Sequence, residues 1–311
     1  QIRKRWRCPN GYRLRERQGM GMALFQIGNE KITIQVDSMG AELKSLKKVD
    51  TGVEFMWDAD PAFWKRTSPV LFPLVGGLKN GEYRHDGRNF PMSQHGFARD
   101  MEFQLKSQTD KGIWFSLASN EETLRKYPYA FLLELGYELQ ESTVVVKWKV
   151  TNPSDSDMYF SIGGHPAFRC PILEDTKQTD YMLRFDTPKE VISSVIQGGL
   201  VSDRKAVYPL QDGCLKITGH LFDQDALVIE NDQAHQVSLI KPDGRPYLTV
   251  DFDAPLFGIW SPPGKAAPFI CIEPWYGRCD AFDFAGTWEE RKWGRHLSAG
   301  ACFEASYRIQ V

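Results

Sequence analysis

Apolar and polar residues alternate one for one through several separate stretches of this chain. "FLLELGYELQ" puts Leu133, Leu135, Tyr137 and Leu139 on one face of an extended segment, with Glu134, Glu138 and Gln140 opposite. "KITIQV" does the same with Ile32, Ile34 and Val36, "VVVKWKV" with Val144, Val146, Trp148 and Val150, and "YLTVDF" with Leu248, Val250 and Phe252. Successive side chains of a strand point to opposite faces, so a period of two describes half-buried strands rather than amphipathic helices. Turn-forming clusters lie between them: "HDGRN", "TNPSDSD", "KPDGRP" and "SPPGK". Helical signals are short. "DPAFWKR" offers Asp60 as a cap and Pro61 in the first turn, "SNEETLRKYP" has cap residues and a stop at Pro128, and "GTWEERKW" is a third single turn. The pattern predicts an all-β protein: one large antiparallel β-sandwich with a few short helices.

The 42% hydrophobic and 13% aromatic content is enough for a sizeable core. No Ser/Gly-rich linker, internal repeat or low-complexity run divides the chain after Met22, which predicts a single domain over 22–311. Residues 1–21 differ: "QIRKRWRCPNGYRLRERQG" is strongly basic, and "MALFQIGNEKITIQV" from Met22 reads as an ordinary start running into a strand. The expectation is an appended or upstream-translated leader rather than a nucleic-acid arm or targeting peptide. A formal charge of −2 gives no general attraction to nucleic acid or to an acidic membrane, and no apolar run is long enough for a membrane helix. Six dispersed cysteines (Cys8, Cys170, Cys214, Cys271, Cys279, Cys302) without a C-x-x-C pair read as reduced thiols of a cytoplasmic protein. Nothing in the sequence fixes an oligomeric state.

Polar chemistry gathers in three stretches. In "CIEPWYGRCD", a strand puts Glu273 and Trp275 on one face, a lone carboxylate beside a flat aromatic in apolar surroundings. Such a Trp can stack on a sugar ring while polar groups read its hydroxyls. Glu273 has a structural alternative, an ion pair with Arg278 or Arg99. In "SIGGHPAF", the small neighbours Gly163 and Ala167 leave His165 in open space, against the plainer reading of a core histidine bonded to a carbonyl. In "PMSQHGFARD", His95 precedes a glycine turn. His85 reads as a turn residue, and His220, His235 and His296 as surface residues. Two histidines and a carboxylate are also a catalytic zinc set, though no H-E-x-x-H motif is present. "LVGGLKNG" matches neither dinucleotide nor P-loop glycine patterns.

Taken together, "SPVLFPLVGGLKNGEY", "QHGFARD", "GGHPAF", "FDQDALVI", "LFGIWSPPG" and "FICIEPWYG" resemble the aldose 1-epimerase (galactose mutarotase) family, and within it the branch of bacterial proteins related to the lactose-operon LacX protein. The resemblance implies a β-supersandwich around a sugar-binding cleft, a monosaccharide as the partner, and no cofactor or metal. By match to the family's motifs, Glu273 is the general base, His165 the general acid and His95 a second histidine near the ring oxygen. Asp225 is the carboxylate that holds sugar hydroxyls, and Trp275, Lys79 and Arg99 complete the substrate-binding set. Gly77 stands where the family often has Arg, and Lys79 could reach the same hydroxyls as a point charge rather than a planar fork. Related hexose-6-phosphate mutarotases use clustered arginines for the phosphate. No such cluster stands out near these motifs, so the expectation is a free aldohexose. A non-catalytic carbohydrate-binding protein is the rival from another class.

Overall fold

The computed structural model describes residues 15–16 and 23–311: Arg15 and Glu16 of the basic stretch pair antiparallel with Leu24 and Ala23, and the rest of the leader expectation, with Cys8, falls outside the described residues. The alternating stretches are strands with the expected inward faces. Ile32–Asp37 buries every second residue, and the pair Leu132–Gln140 and Thr143–Thr151 runs antiparallel in unbroken register, Leu132 opposite Thr151 and Gln140 opposite Thr143. That pair sits inside a nine-stranded antiparallel sheet. An eight-stranded antiparallel sheet faces it. Val144, Leu133 and Val250 of the first join Ile270, Ile272 and Phe257 of the second in one buried cluster. Each fully buried aliphatic or aromatic side chain there contributes about 1.5–3 kcal/mol, so the sequence's alternation is what joins the sheets.

The strand Phe269–Tyr276 is interior to the eight-stranded sheet, between Leu256–Trp260 on one side and Ile162–Gly164 with Ala167–Arg169 on the other. All eight of its residues are buried. Ile270 and Ile272 point into the main core, while Phe269, Cys271 and Trp275 face a second apolar layer. A strand covered on both faces reads as nearly continuous apolar sequence, and Glu273 is the exception within it.

Two of the three short helical signals form helices. Glu121–Lys126 starts at a capping box in which Asn120 Oδ1 accepts from Thr123 N and Thr123 Oγ1 accepts from Asn120 N, both at 2.9 Å. Trp288–Glu290 is a single 3₁₀ turn. "DPAFWKR" corrects the expectation. Asp60 does cap Ala62 N at 2.9 Å, and Phe63 N and Trp64 N return to Asp60 O at 3.1 and 3.0 Å. The turn then stops, because the Thr67 and Ser68 amides bond to Glu42 Oε1 at 2.7 and 2.9 Å instead of to a following helical turn. His85 also differs: it ends the strand Glu82–His85, half-buried against Glu289 and Tyr129 rather than lying free in a turn.

Candidate active site

Sheet register explains how two residues far apart in sequence meet. Gly163 lies opposite Trp275 and Ala167 opposite Cys271, so His165, midway along the connecting segment, lies opposite Glu273. His165 Nε2 and Glu273 Oε2 are 3.4 Å apart, with the two residues 7% and 1% exposed. They line a cleft of about 770 Å³ together with His95, Arg99, Asp225 and Trp275. That volume is of the size small-molecule sites occupy.

The imidazole of His165 does not stand in open space. Trp64 stacks on it with ring centroids 4.7 Å apart, and Trp260 meets it edge-on at 5.6 Å. Small flanking residues made room for an indole brought from the interrupted turn after Asp60. Trp64 and Trp260 are the half-exposed indoles of the cleft. Trp275 lies deeper, 6% exposed, with its indole flat on Gly258, where a Cβ would meet the ring at 2.4 Å. Sequence reasoning missed Trp64, Trp260, Lys65 and Arg66. The signal available was the run "FWKR" itself, an aromatic pair followed by two cations, which was read only as a helix segment.

Among the described residues, no arginine forms an ion pair with Glu273. Arg278 Nε donates to Glu230 at 2.8 Å, and Arg99 donates to Gln94 O at 2.8 Å. Glu273 Oε2 and Trp275 Nε1 are buried without hydrogen-bond partners among the described residues, as is Nδ1 of His165. Burial holds the Glu273 carboxyl well above the usual carboxylate range; the neighbouring Trp275 indole opposes this and the Asp225 charge adds to it. Burial pushes His165 down to about 3, and the charges of Arg99 and Arg66 push the same way. Burial thus pushes both members of the pair toward their uncharged forms, because charge in apolar surroundings is costly.

His95 has φ 68° and is followed by Gly96 at φ 72°. Its Nδ1 accepts from Gly76 N at 3.0 Å, and its own N–H donates to Gly76 O at 2.9 Å. Since Nδ1 accepts, the ring proton sits on Nε2. Burial and the charges of His165, Arg99 and Arg66 hold His95 well below the usual histidine value, so it is a neutral donor. Its ring lies perpendicular to that of His165, centroids 5.5 Å apart. Gly76 has φ 75°, and a Cβ there would meet Cys279 N at 2.5 Å, so the turn holding His95 accepts only glycine.

Asp225, at φ 70°, caps Ala226 N at 2.8 Å and is exposed on the cleft wall, near enough for its charge to reach Glu273. Lys79 is not brought to the cleft. It lines a separate hollow with Asn80 and Asp280, and its amide donates to Asp280 Oδ2 at 3.0 Å. Asp280 instead braces the glycine turn: its N donates to Gly77 O at 3.0 Å, and its Oδ1 accepts from buried Arg291 Nε at 2.7 Å. Asp280→Ala would strand a buried guanidinium and is expected to cost about 3–5 kcal/mol. In thermal unfolding that is a fall in Tm on the order of 5–15 °C. Asp280→Asn keeps one acceptor oxygen, which can still face Arg291 Nε, while its NH2 replaces the oxygen that accepts from the Lys79 amide, so it should lose less than Ala; equal losses would place the effect elsewhere.

The absence of clustered arginines is also corrected: Lys65, Arg66 and Arg99 all line the cleft. The donor set closest to a metal site differs from the expected one as well. Among the described residues, His165, Cys271 and Glu273 offer ligand atoms within 4.8 Å of one another. Burial, then the Glu273 charge, raises the Cys271 thiol well above its usual value, which disfavours the thiolate a metal needs. His95 is not part of the set.

The protein is a β-sandwich whose interior strand presents a carboxylate beside an imidazole, in a cleft walled by indoles and polar groups. The chain belongs to the aldose 1-epimerase family, whose model matches residues 23–300. It is 34% identical over 278 residues to the chromosomal LacX protein of Lactococcus lactis subsp. lactis, covering 86% of this chain and 92% of that protein. It is similar to a galactose mutarotase related enzyme from Lactobacillus acidophilus, with TM-score 0.87, 34% identity, and 92% and 96% of the two chains covered. A galactose mutarotase-like protein from Lactobacillus casei aligns with TM-score 0.85 and 31% identity, covering 92% and 99%. Among the described residues, no helix is long and apolar enough to cross a membrane.

Proposed function

We propose that this chain is a mutarotase, an isomerase that interconverts the α and β anomers of an aldohexose by opening and reclosing the pyranose ring. The observation that carries the reading is the 3.4 Å contact between His165 Nε2 and Glu273 Oε2 inside the cleft. The anomeric hydroxyl and the ring oxygen share C1, so the two groups that exchange protons with them must be neighbours.

Sugar binding brings hydroxyls to groups that lack partners in the empty cleft. Those hydroxyls favour the charged forms of the pair, a Glu273 carboxylate and a protonated His165. The Glu273 carboxylate then takes the proton of the C1 hydroxyl. As the C1–O5 bond breaks and C1 becomes the aldehyde, His165 protonates O5. Rotation about C1–C2 exposes the other face, and closure reverses both transfers. Each transfer contributes roughly 10² to 10⁴ in rate. His95 donates from Nε2 to the ring oxygen region, Asp225 accepts from hydroxyls, and the Trp64 and Trp260 indoles orient the ring, where a shift of about 1 Å costs ~100-fold.

Polarimetry on freshly dissolved α-D-glucose and α-D-galactose tests this. The expected result is an approach to equilibrium faster than the spontaneous one, in proportion to protein concentration. Sugar binding by titration without acceleration would instead make the protein a carbohydrate-binding module.

A further inference from the structure

Glu230 is a buried carboxylate outside the reacting pair, and several side chains converge on it. Arg278 Nε and Trp293 Nε1 each donate to its Oε1 at 2.8 Å, and the Ser194 hydroxyl donates to its Oε2. Lys205 and Lys292, both more than half exposed, lie 3.5 and 3.6 Å from the carboxylate. Burial would raise the Glu230 carboxyl, but the Ser194 hydroxyl, the Arg278 charge and the Trp293 indole outweigh it and lower the group to about 2. Glu230 thus takes the arginine that the sequence offered to Glu273. Replacing a buried ion pair by packed apolar residues is often neutral or stabilising, so stability alone does not account for one.

What the pair fixes lies at the other end of the guanidinium. Arg278 Nη1 donates to Cys279 O at 2.8 Å. The Cys279 backbone lies against Gly76, where an added Cβ would meet Cys279 N at 2.5 Å and its Cα at 2.7 Å. Gly76 in turn holds His95 twice, its N donating to Nδ1 at 3.0 Å and its O accepting from the His95 amide at 2.9 Å. On the other flank, Trp293 packs against the buried cluster that contains Val75, the residue before Gly76, and Trp275. One carboxylate therefore grips the glycine turn by two routes, through the Arg278 hydrogen bonds and through the Trp293 indole. Glu273 and His165 are placed separately, by strand register. We infer that Glu230 and Arg278 are positioning residues: they set His95 Nε2 at the ring oxygen and act on sugar binding through that histidine.

The test compares Arg278→Lys and Glu230→Gln with the parent, all as the full chain. Lys keeps a charge beside Glu230 but lacks the planar fork that also reaches Cys279 O, and Gln keeps the shape of Glu230 without the charge that orients the guanidinium. In polarimetry on α-D-glucose and α-D-galactose, each variant should raise KM about tenfold, the loss of one well-placed hydrogen bond, while kcat stays within about threefold. Glu230→Gln, the milder change, carries the test if Arg278→Lys does not fold. Combined with His95→Asn, either substitution should change KM by no more than about twofold further, because the histidine it places is gone. Lys292→Gln removes a charge near the same carboxylate and leaves the guanidinium in place, so KM should not move; an equal rise there would make the effect electrostatic and overturn the positional claim. This kinetic arm rests on the mutarotase reading, and nitrogen NMR does not. Both variants should shift the His95 ring nitrogens and the Gly76 amide. Such shifts in a protein whose parent does not accelerate anomer exchange would overturn the mutarotase reading and leave the positioning standing. Unmoved His95 and Gly76 signals with KM at the parent value, whatever the fall in Tm, would reduce the pair to a structural brace and overturn the inference.

Discussion

Glu273→Gln is expected to lose roughly 10²- to 10⁴-fold in mutarotation while the fold survives. Gln keeps the volume and the reach of the side chain but can neither take nor give a proton at O1. The stability side of the prediction is equally specific. The Glu273 carboxyl is buried with Oε2 unpartnered, and its folded value lies above the ordinary one. Between those two values the folded protein binds more protons than the unfolded chain, so stability falls as pH rises through that window. Gln has no such liability. The variant should therefore match or exceed the parent in Tm, by a margin that widens from about pH 5 to about pH 8. Thermal unfolding at both pH values, beside polarimetry, checks the two halves together. Unchanged turnover would remove Glu273 from the reaction, and a lower Tm would mean the carboxylate holds something in place.

The fold was legible because alternation is local: Ile32, Ile34 and Val36 need no knowledge of the rest of the chain to declare an inward face. The strand carrying Glu273 was legible for a related reason, since one charged residue in an apolar run is conspicuous. What the sequence could not show was which segments converge. His165 lies opposite Glu273 only through the register of two strand pairs. Trp64 reaches His165 only because Glu42, distant in sequence, captures the Thr67 and Ser68 amides and stops a helix that local propensity favours. Lys79 failed for the opposite reason. It lies close in sequence to Gly76 and Gly77, but its backbone is tied to Asp280, and it lines another hollow. Charge states were the least legible part. Burial moves both members of the pair away from their ordinary solution values and toward their uncharged forms, which no local sequence pattern shows.

His165→Asn should be similarly severe, and the pH dependence of the parent is where its role becomes visible. The reaction requires the Glu273–His165 pair to hold one proton: one group must accept while the other donates. Two protons leave no base, and none leaves no acid, so kcat/KM follows a bell whose limbs belong to the pair rather than to either residue. On the acid side, the second proton must charge a buried imidazole lowered from 6.5 to about 3, so activity per folded molecule should persist well below the ordinary histidine range. Folding moves the other way in that region. The unfolded histidine binds a proton that the buried one refuses, so stability falls as pH drops through 6.5 towards 3. The parent should thus lose Tm on acidification before it loses specific activity, and His165→Asn should flatten that part of the Tm curve while abolishing most turnover. Asn keeps a polar group against Trp64 without a titrating nitrogen, which separates proton transfer from packing. An acid limb centred near 6.5 in the parent would mean that His165 titrates as a solvated group, against the burial that lowers it.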